Sequence, residues 1–471
     1  MTNNYNILLV SLGCDKNTVD SEEMLGLLRE RGYNLTDNDA EADIAIVNTC
    51  CFIKDAAEES INTIFELAEL KKGRLKYLIV TGCIAERYKA EARAELPEVD
   101  AFIGTSALDD IANVVDKLIG HDDLNDHDNL QMVSDGLMFS KTNDVSEDGS
   151  PDAFKSLDHL PVFSSNRVLT GTVFSEYLKI AEGCDKRCTY CAIPSFRGHY
   201  RSIPKEILIR QAQYLAGQGV KELILVAQET TCYGIDKYGR KCLHELIHEL
   251  SAIDGIEWIR LLYCYPEEIY DELIEEIAAN PKVCHYIDMP LQHTETDILR
   301  RMGRRLDRDD IINIVGKLRS RIPDIAIRTT FITGFPGETE IDHENLMELI
   351  DELEFDRVGV FTYSAEEGTP AALFSDQIEE DVKERYRDEI MSLQQEISYD
   401  KNQSFVGKTI DVMIEGYLPD EDVYAARSYR DAPDVDGYVF VKCDYEPVSG
   451  TIVKAKINSA SEYDLIGEVE D

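Results

Sequence analysis

The 471-residue chain is 44% hydrophobic and 30% charged, enough apolar material for two to four domains and too much for disorder throughout. Its formal net charge of -43 argues against a generic phosphate-binding surface, because nucleic-acid binding draws on Lys and Arg displacing counterions. The excess is spread widely, with ten acids against two bases in residues 121–160 and sixteen against seven in 400–471, so a basic partner suits this surface better than an acidic one.

The N-terminal MTNNYNILLVSLGC has no basic leader region, and no run approaches the roughly 18 apolar residues of a membrane span. The expected location is the cytoplasm. In that reducing compartment the twelve cysteines read as metal ligands or buried thiols rather than as a disulfide framework. Residues 5–11 predict a strand, 20–31 a helix, 43–47 a strand, 53–70 a helix and 76–81 a strand, a repeated β-α pattern that makes a parallel sheet. Cys14, Cys50 and Cys83 each fall just beyond a strand's carboxyl end, 36 and 33 residues apart. Successive β-α units therefore deliver three soft ligands to the edge where such sheets bind ligands. Three buried packing thiols are the alternative. Cys51 adds a complication, because neighbours in an extended segment point in opposite directions and only one of Cys50 and Cys51 is expected to face the crevice.

Between about 119 and 170 the pattern dissolves into acidic and small polar residues, read as a linker over 121–170. Strands are then predicted at 176–181, 222–227, 256–263, 284–289, 325–332 and 356–362, with helices at about 204–216, 240–252, 267–279, 307–320 and 339–353. Six β-α units over 171–400 form a full or partial parallel TIM-like barrel, with its chemistry at the strands' carboxyl ends. A long charged helix at about 378–400 follows. Residues 401–471 change to short alternating stretches, predicting a small antiparallel β-barrel.

The strongest chemical signal is GCDKRCTYC, with Cys184, Cys188 and Cys191 directly after the first barrel strand. A C-x3-C-x2-C loop can hold three irons of a 4Fe-4S cluster and leave the fourth open to a small molecule. Structural zinc, with His199 as fourth ligand, is the alternative, but zinc sites usually pair C-x2-C with a second distant pair.

This loop, followed by Ala192-Ile193-Pro194, resembles the radical S-adenosylmethionine superfamily, and with SLGCDKNTVDSE, VNTCCFI, TGCIAER, PLQHTETDILRRMGR and TTFITGFPGE in order the chain resembles its methylthiotransferases. The resemblance implies three domains: a methylthiotransferase domain over 1–120, a radical domain over 171–400 and a TRAM-like barrel over 401–471. It implies two 4Fe-4S clusters facing one another, one on Cys14, Cys50 and Cys83 and one on Cys184, Cys188 and Cys191. It also places the first domain's ligand at Cys50 rather than Cys51, where the family commonly has glycine. Asp15-Lys16-Asn17 resembles the branch that methylthiolates an aspartate of a small-subunit ribosomal protein, whereas transfer-RNA enzymes usually show Gln-Met-Asn there.

Under that resemblance the second cluster binds S-adenosylmethionine and generates a deoxyadenosyl radical, which takes hydrogen from the aspartate β-carbon. The first carries the sulfur, and a second S-adenosylmethionine supplies the methyl. The implied partners are a basic ribosomal protein, a sulfur donor and an electron donor such as flavodoxin or ferredoxin, with no membrane and no DNA. Tyr190, Gln228, Gln292, Arg328, Gly334 and Gly337 are candidate cofactor contacts, against plain loop packing, solvent-facing strand ends and turn geometry. His199 and His293 read as surface or hydrogen-bonding residues, and Cys232, Cys242, Cys264, Cys284 and Cys443 as packing thiols. Two readings stand beside the first: methylthiolation of transfer RNA, and a non-catalytic iron–sulfur or zinc module.

Overall fold

The computed structural model describes residues 5–125, 151–161, 163 and 166–470, so the acidic run at 126–150 lies outside the described residues. Contacts divide the chain into two units. The first holds β1 (Asn6–Ser11), α1 (Asp15–Glu30), β2 (Asn34–Leu35), β3 (Ile44–Thr49), α2 (Lys54–Glu69), β4 (Tyr77–Gly82), α3 (Cys83–Glu95), β5 (Ala101–Ile103) and α4 (Ile111–Asn125). All strand pairs are parallel, in the order β2-β1-β3-β4-β5. β3 and β4 are buried along their whole length, in keeping with the apolar runs IAIV and YLIV that open them. Leu8, Ala45, Val47, Leu78 and Val80 pack on one face with Ile64 and Leu67 of α2 and Ile84 and Ala92 of α3. Ile7, Ile44, Ile46 and Ile79 pack on the other with Met24 and Leu28 of α1 and Ile111 and Val115 of α4. With helices on both faces, the strand order reverses between β1 and β3, the crevice where such sheets take ligands.

Part of the expected linker belongs to this sheet's edge. Ala153 bridges Ile103 in parallel, Ala153 N donates to Phe102 O (2.9 Å) and Gly104 N to Ala153 O (2.9 Å). Asp152 accepts from Phe102 N and pairs with Arg93. The backbone groups of β5 thereby find partners that the short strand could not supply alone.

The chain continues through β6 (Ser175–Lys179), β7 (Ala181–Glu182), α5 (Ile193–Arg197), β8 (Arg201–Ser202), α6 (Lys205–Gly217), β9 (Glu222–Val226), α7 (Ile235–Tyr238), α8 (Leu243–Ser251) and β10 (Trp258–Leu261). Then come α9 (Asp271–Ala279), β11 (Tyr286–Asp288), α10 (Thr296–Arg301), α11 (Arg308–Arg321), β12 (Ala326–Thr333), α12 (Glu340–Leu353), β13 (Arg357–Thr362) and α13 (Glu380–Gln403). Residues Glu182–Asp185 and Ala192–Arg201 group with the first unit and the rest from Gly171 onward with the second.

In the second unit β6, β9 and β10 are parallel, as are β11, β12 and β13. The Ile259–Val283 bridge and Cys264 N donating to Asp288 O (2.8 Å) join the two sets into the expected partial six-strand barrel. Among the described residues no pairing of β13 with β6 closes it.

The terminal strands β14 (Thr409–Leu418), β15 (Val423–Ser428), β16 (Val439–Lys442), β17 (Ile452–Ala460) and β18 (Leu465–Val469) form a closed barrel in the order β14-β15-β16-β18-β17. It is not wholly antiparallel as expected, because β16 and β18 pair in parallel. Closure brings the last strand beside β16 while β17 already occupies the antiparallel place on its other side.

This small barrel packs at the amino-terminal end of the parallel one. Glu222, which opens β9, meets Arg260 Nε and Arg427 Nη2 at 2.7 Å each and accepts from Ser175 Oγ at 2.8 Å. Arg357, which opens β13, pairs with Asp431 (2.7 Å), and Tyr286, which opens β11, donates to Asp436 (2.7 Å). Among the described residues no helix is long and apolar enough to cross a membrane.

Candidate functional site

Three loops of the first unit leave the carboxyl ends of neighbouring strands. Cys14 caps α1 after β1, Cys50 follows β3 directly, and Cys83 opens α3 after β4. Asn17 ties the first loop to the second, donating to Leu12 O (2.8 Å) and Thr49 O (3.1 Å). Asn48 donates to Asn17 O (3.0 Å) and Ser21 Oγ (2.9 Å), and Thr49 Oγ1 donates to Thr81 O (2.6 Å). Gly13, at φ 89°, lets the backbone pass against Cys50: a Cβ there would stand 2.8 Å from the Cys50 sulfur. The three loops that carry these thiols are thus tied into one hydrogen-bonded edge.

Arg197, buried in α5, reaches the same edge. Its Nη2 donates to Asn17 Oδ1 (2.5 Å) and to Cys83 Sγ (3.6 Å), and its Nη1 to Asp20 (2.9 Å) and Glu182 (3.3 Å). A hydrogen bond from Cys51, then the Arg197 guanidinium, hold the Cys83 thiol below its ordinary range against the effect of burial. Burial, and next the neighbouring Cys83, push Cys50 up to about 11, and burial raises Cys14. Cys51 packs in the core with Cys83, while Cys50 lies within electrostatic reach of both Cys83 and Cys14. β3 ends at Thr49, so strict side-chain alternation ends with the strand just before these two adjacent thiols.

Cys188 and Cys191 group with the second unit and Cys184 with the first. Cys188 Sγ stands 2.7 Å from Tyr265 Oη. Arg304 stacks its guanidinium over that tyrosine ring at 3.9 Å and pairs with Glu267 (3.3 Å). Thr189 is held from both sides, its N–H and hydroxyl donating to Met302 O (2.9 Å) and Arg301 O (2.7 Å) while its carbonyl accepts from Ala371 N (2.9 Å). Gly303 comes so close that a side chain there would strike Arg187 O. The 290–304 motif thus grips the cysteine loop.

The weaker candidates divide. Tyr190 is half-buried among Ile298, Met302, Phe335 and Tyr363. Gln228 stands two residues past β9, half-buried. Gln292 has φ 73° and is bound to β12 through Thr330 O and Ile332 N (2.8 Å each), a left-handed backbone that costs a non-glycine residue about 1–2 kcal/mol. Arg328 does not end its strand: its guanidinium pairs with Asp288 (2.8 Å) and lies 3.6 Å from Asp436, directed to the amino-terminal network. Gly334 (φ 69°) and Gly337 (φ 88°) form a turn packed on Lys383 and on the Arg301–Asp376 pair, which accounts for both glycines. His293 is buried, accepting from Glu295 N (3.0 Å) with Glu338 Oε1 at 3.4 Å, and His199 is exposed beside Asp185 (2.9 Å).

Sequence reasoning missed Arg197, Tyr265, Arg304 and Glu229. Glu229, next to Gln228, is buried with one carboxylate oxygen bound by the Thr231 N–H (2.9 Å) and hydroxyl, and burial pushes it up to about 7. Its position one residue past a named strand-end candidate was the available signal.

All twelve cysteines are free thiols. Among the described residues no three His, Cys, Asp or Glu are gathered closely enough for a single metal ion. A four-iron cluster takes each thiolate on a different iron, so its ligands stand wider apart than those of one zinc ion. Two sets of soft donors, one with a buried cation against it, fit such clusters.

Three family models match the chain: uncharacterized protein family UPF0004 over residues 6–104, the radical SAM superfamily over 178–350 and the TRAM domain over 406–469. The ribosomal protein uS12 methylthiotransferase RimO of Lachnoclostridium phytofermentans is 52% identical over 465 residues, spanning 98% of this chain and 100% of that protein. The protein of the same name from Thermoanaerobacter sp. is 47% identical, spanning 98% and 99%. The radical S-adenosylmethionine methyltransferase TsrM of Kitasatospora setae, solved with cobalamin and a 4Fe-4S cluster, superposes with a TM-score of 0.53 over 79% of this chain and 74% of that one. At 14% identity this likeness speaks to the fold alone.

Proposed function

The chain belongs to the family of radical S-adenosylmethionine methylthiotransferases called RimO, and from that premise we propose that it adds a methylthio group to the β-carbon of an aspartate in ribosomal protein uS12. The observation that carries this reading is the pair of thiol sets: Cys14, Cys50 and Cys83 on one hydrogen-bonded sheet edge, and Cys184, Cys188 and Cys191 in the C-x3-C-x2-C sequence, of which Cys188 lies in the stretch held by residues 301–303. Each set would hold one 4Fe-4S cluster and leave one iron open. Bound there with S-adenosylmethionine, the clusters supply one-electron cleavage of a carbon–sulfur bond and a transferable sulfur, chemistry no side chain performs.

The chain's own residues position these groups. Tyr265 hydrogen-bonds Cys188, and Arg304 stacked on Tyr265 keeps that phenol in place. Tyr190, Gln228 and Gln292 are the proposed cofactor contacts, Gln292 being supported by its strained backbone. Glu229, neutral up to about pH 7, can donate as well as accept a hydrogen bond beside Gln228. The excess of acids in residues 400–471 suits a basic protein substrate and repels a nucleic acid. An electron donor of the flavodoxin or ferredoxin kind and a sulfur donor complete the reaction.

The test is anaerobic reconstitution with iron and sulfide, then incubation with reductant, S-adenosylmethionine and purified uS12, read by mass spectrometry. A methylthio increment on one aspartate is expected. Unmodified uS12 beside modified transfer RNA overturns the substrate, and a chain that binds no iron–sulfur cluster overturns the reaction class.

A further inference from the structure

Arg197 lies six residues past Cys191, in the stretch that leaves the second thiol set, yet its guanidinium ends at the first. Its side chain is 3% exposed, and burying a guanidinium costs several kcal/mol unless its donors are matched. Here Asp20 and Glu182 hold Nη1, which turns Nη2 toward Asn17 and Cys83. Asn17 is the residue that ties the Cys14 loop to the Cys50 loop, so one cation touches the hub of all three. A fork fixed on one side by carboxylates and aimed on the other at a thiol is more than the packing of α5 requires.

We propose that Arg197 is a positioning residue for the cluster on Cys14, Cys50 and Cys83, fixing Cys83 and setting the reduction potential through its buried positive charge. The inference rests on the reading of that trio as cluster ligands. A three-thiolate 4Fe-4S cluster is anionic and gains one negative charge on reduction, so a cation held 3.6 Å from a ligand sulfur favours the reduced state. Asp20 tempers it by sharing the same guanidinium.

The experiment uses the full chain carrying Cys184→Ala, Cys188→Ala and Cys191→Ala, which leaves only the first set. After anaerobic reconstitution it is expected to hold about four irons. Spectroelectrochemical titration of the same protein with Arg197→Gln is expected to show the potential more negative by at least a tenfold change in the oxidised-to-reduced ratio, about 59 mV for one electron. Arg197→Lys, which keeps the charge, is expected to recover most of that shift. Asp20→Asn keeps the shape of the site and is expected to move the potential the opposite way, so it decides the matter if the glutamine variant does not fold. Unchanged potentials in both Arg197→Gln and Asp20→Asn overturn the role of Arg197 while leaving the ligand trio standing. A parent that binds no iron overturns the trio and this inference with it.

Discussion

Glu222 and Glu229 stand at opposite ends of one barrel strand and are treated in opposite ways. At the amino end, burial alone would raise Glu222, but Arg427 and Arg260 overcome it and bring the carboxyl down to about 2. At the carboxyl end burial prevails, and Glu229 is pushed up to about 7. The first end is closed by matched charges from the terminal barrel; the second keeps a neutral acid, the strained Gln292 and the thiol of Cys188. A parallel barrel can put stability at one mouth and reactivity at the other because its helices and loops separate the two by a strand's length.

Breaking the chemical end should cost activity and little stability. Cys188→Ala is expected to abolish detectable cleavage of S-adenosylmethionine, measured by release of deoxyadenosine, while the unfolding midpoint of the cluster-free protein stays close to that of the parent. Breaking the other end should do the reverse. Glu222→Gln leaves Arg260 and Arg427 buried without their anion and is expected to lose about 3–5 kcal/mol in urea unfolding, with iron per folded chain unchanged.

The two carboxyls should also respond to pH with opposite sign. The low native value of Glu222 stabilises the fold above the ordinary range near 4.5, and about 3 kcal/mol of that is lost as pH falls toward 2. The high native value of Glu229 means that the native state holds a proton the unfolded chain releases, so stability falls by about 3 kcal/mol as pH rises from 4.5 to 7. Unfolding free energies of Glu222→Gln and Glu229→Gln across these windows should each lack one of the two slopes. The smallest effect is expected on an outer helix away from both ends: Asp307→Ala removes the cap that accepts from Asp310 N (2.9 Å) and should cost about 1 kcal/mol in the same unfolding measurement.

Much of this architecture is legible in the residues. The six barrel strands and the intervening helices fall within a few residues of the positions that apolar periodicity predicts. α1 begins earlier than expected, at Asp15, directly after Cys14, whose side chain makes no capping bond. In the terminal barrel, β15 (VYAARS) and β18 (LIGEV) carry little apolar–polar alternation of their own and are not legible as strands from periodicity. Residues 151–161 look like linker because they show no strand or helix periodicity and follow an acidic polar run, yet backbone pairing with β5 needs no periodic pattern.

By itself the amino-acid sequence determined the order of strands and helices, the three thiols at successive strand ends and the C-x3-C-x2-C loop, since each is set by local spacing and periodicity. Only the tertiary structure decided which charges meet. Arg197 finds Asp20 across 177 residues, Arg427 finds Glu222 across 205, and Arg328 turns from the expected cofactor to Asp436. Such pairings leave no periodic trace, because a buried ion pair is specified by the complementarity of two distant side chains once the backbone has brought them together.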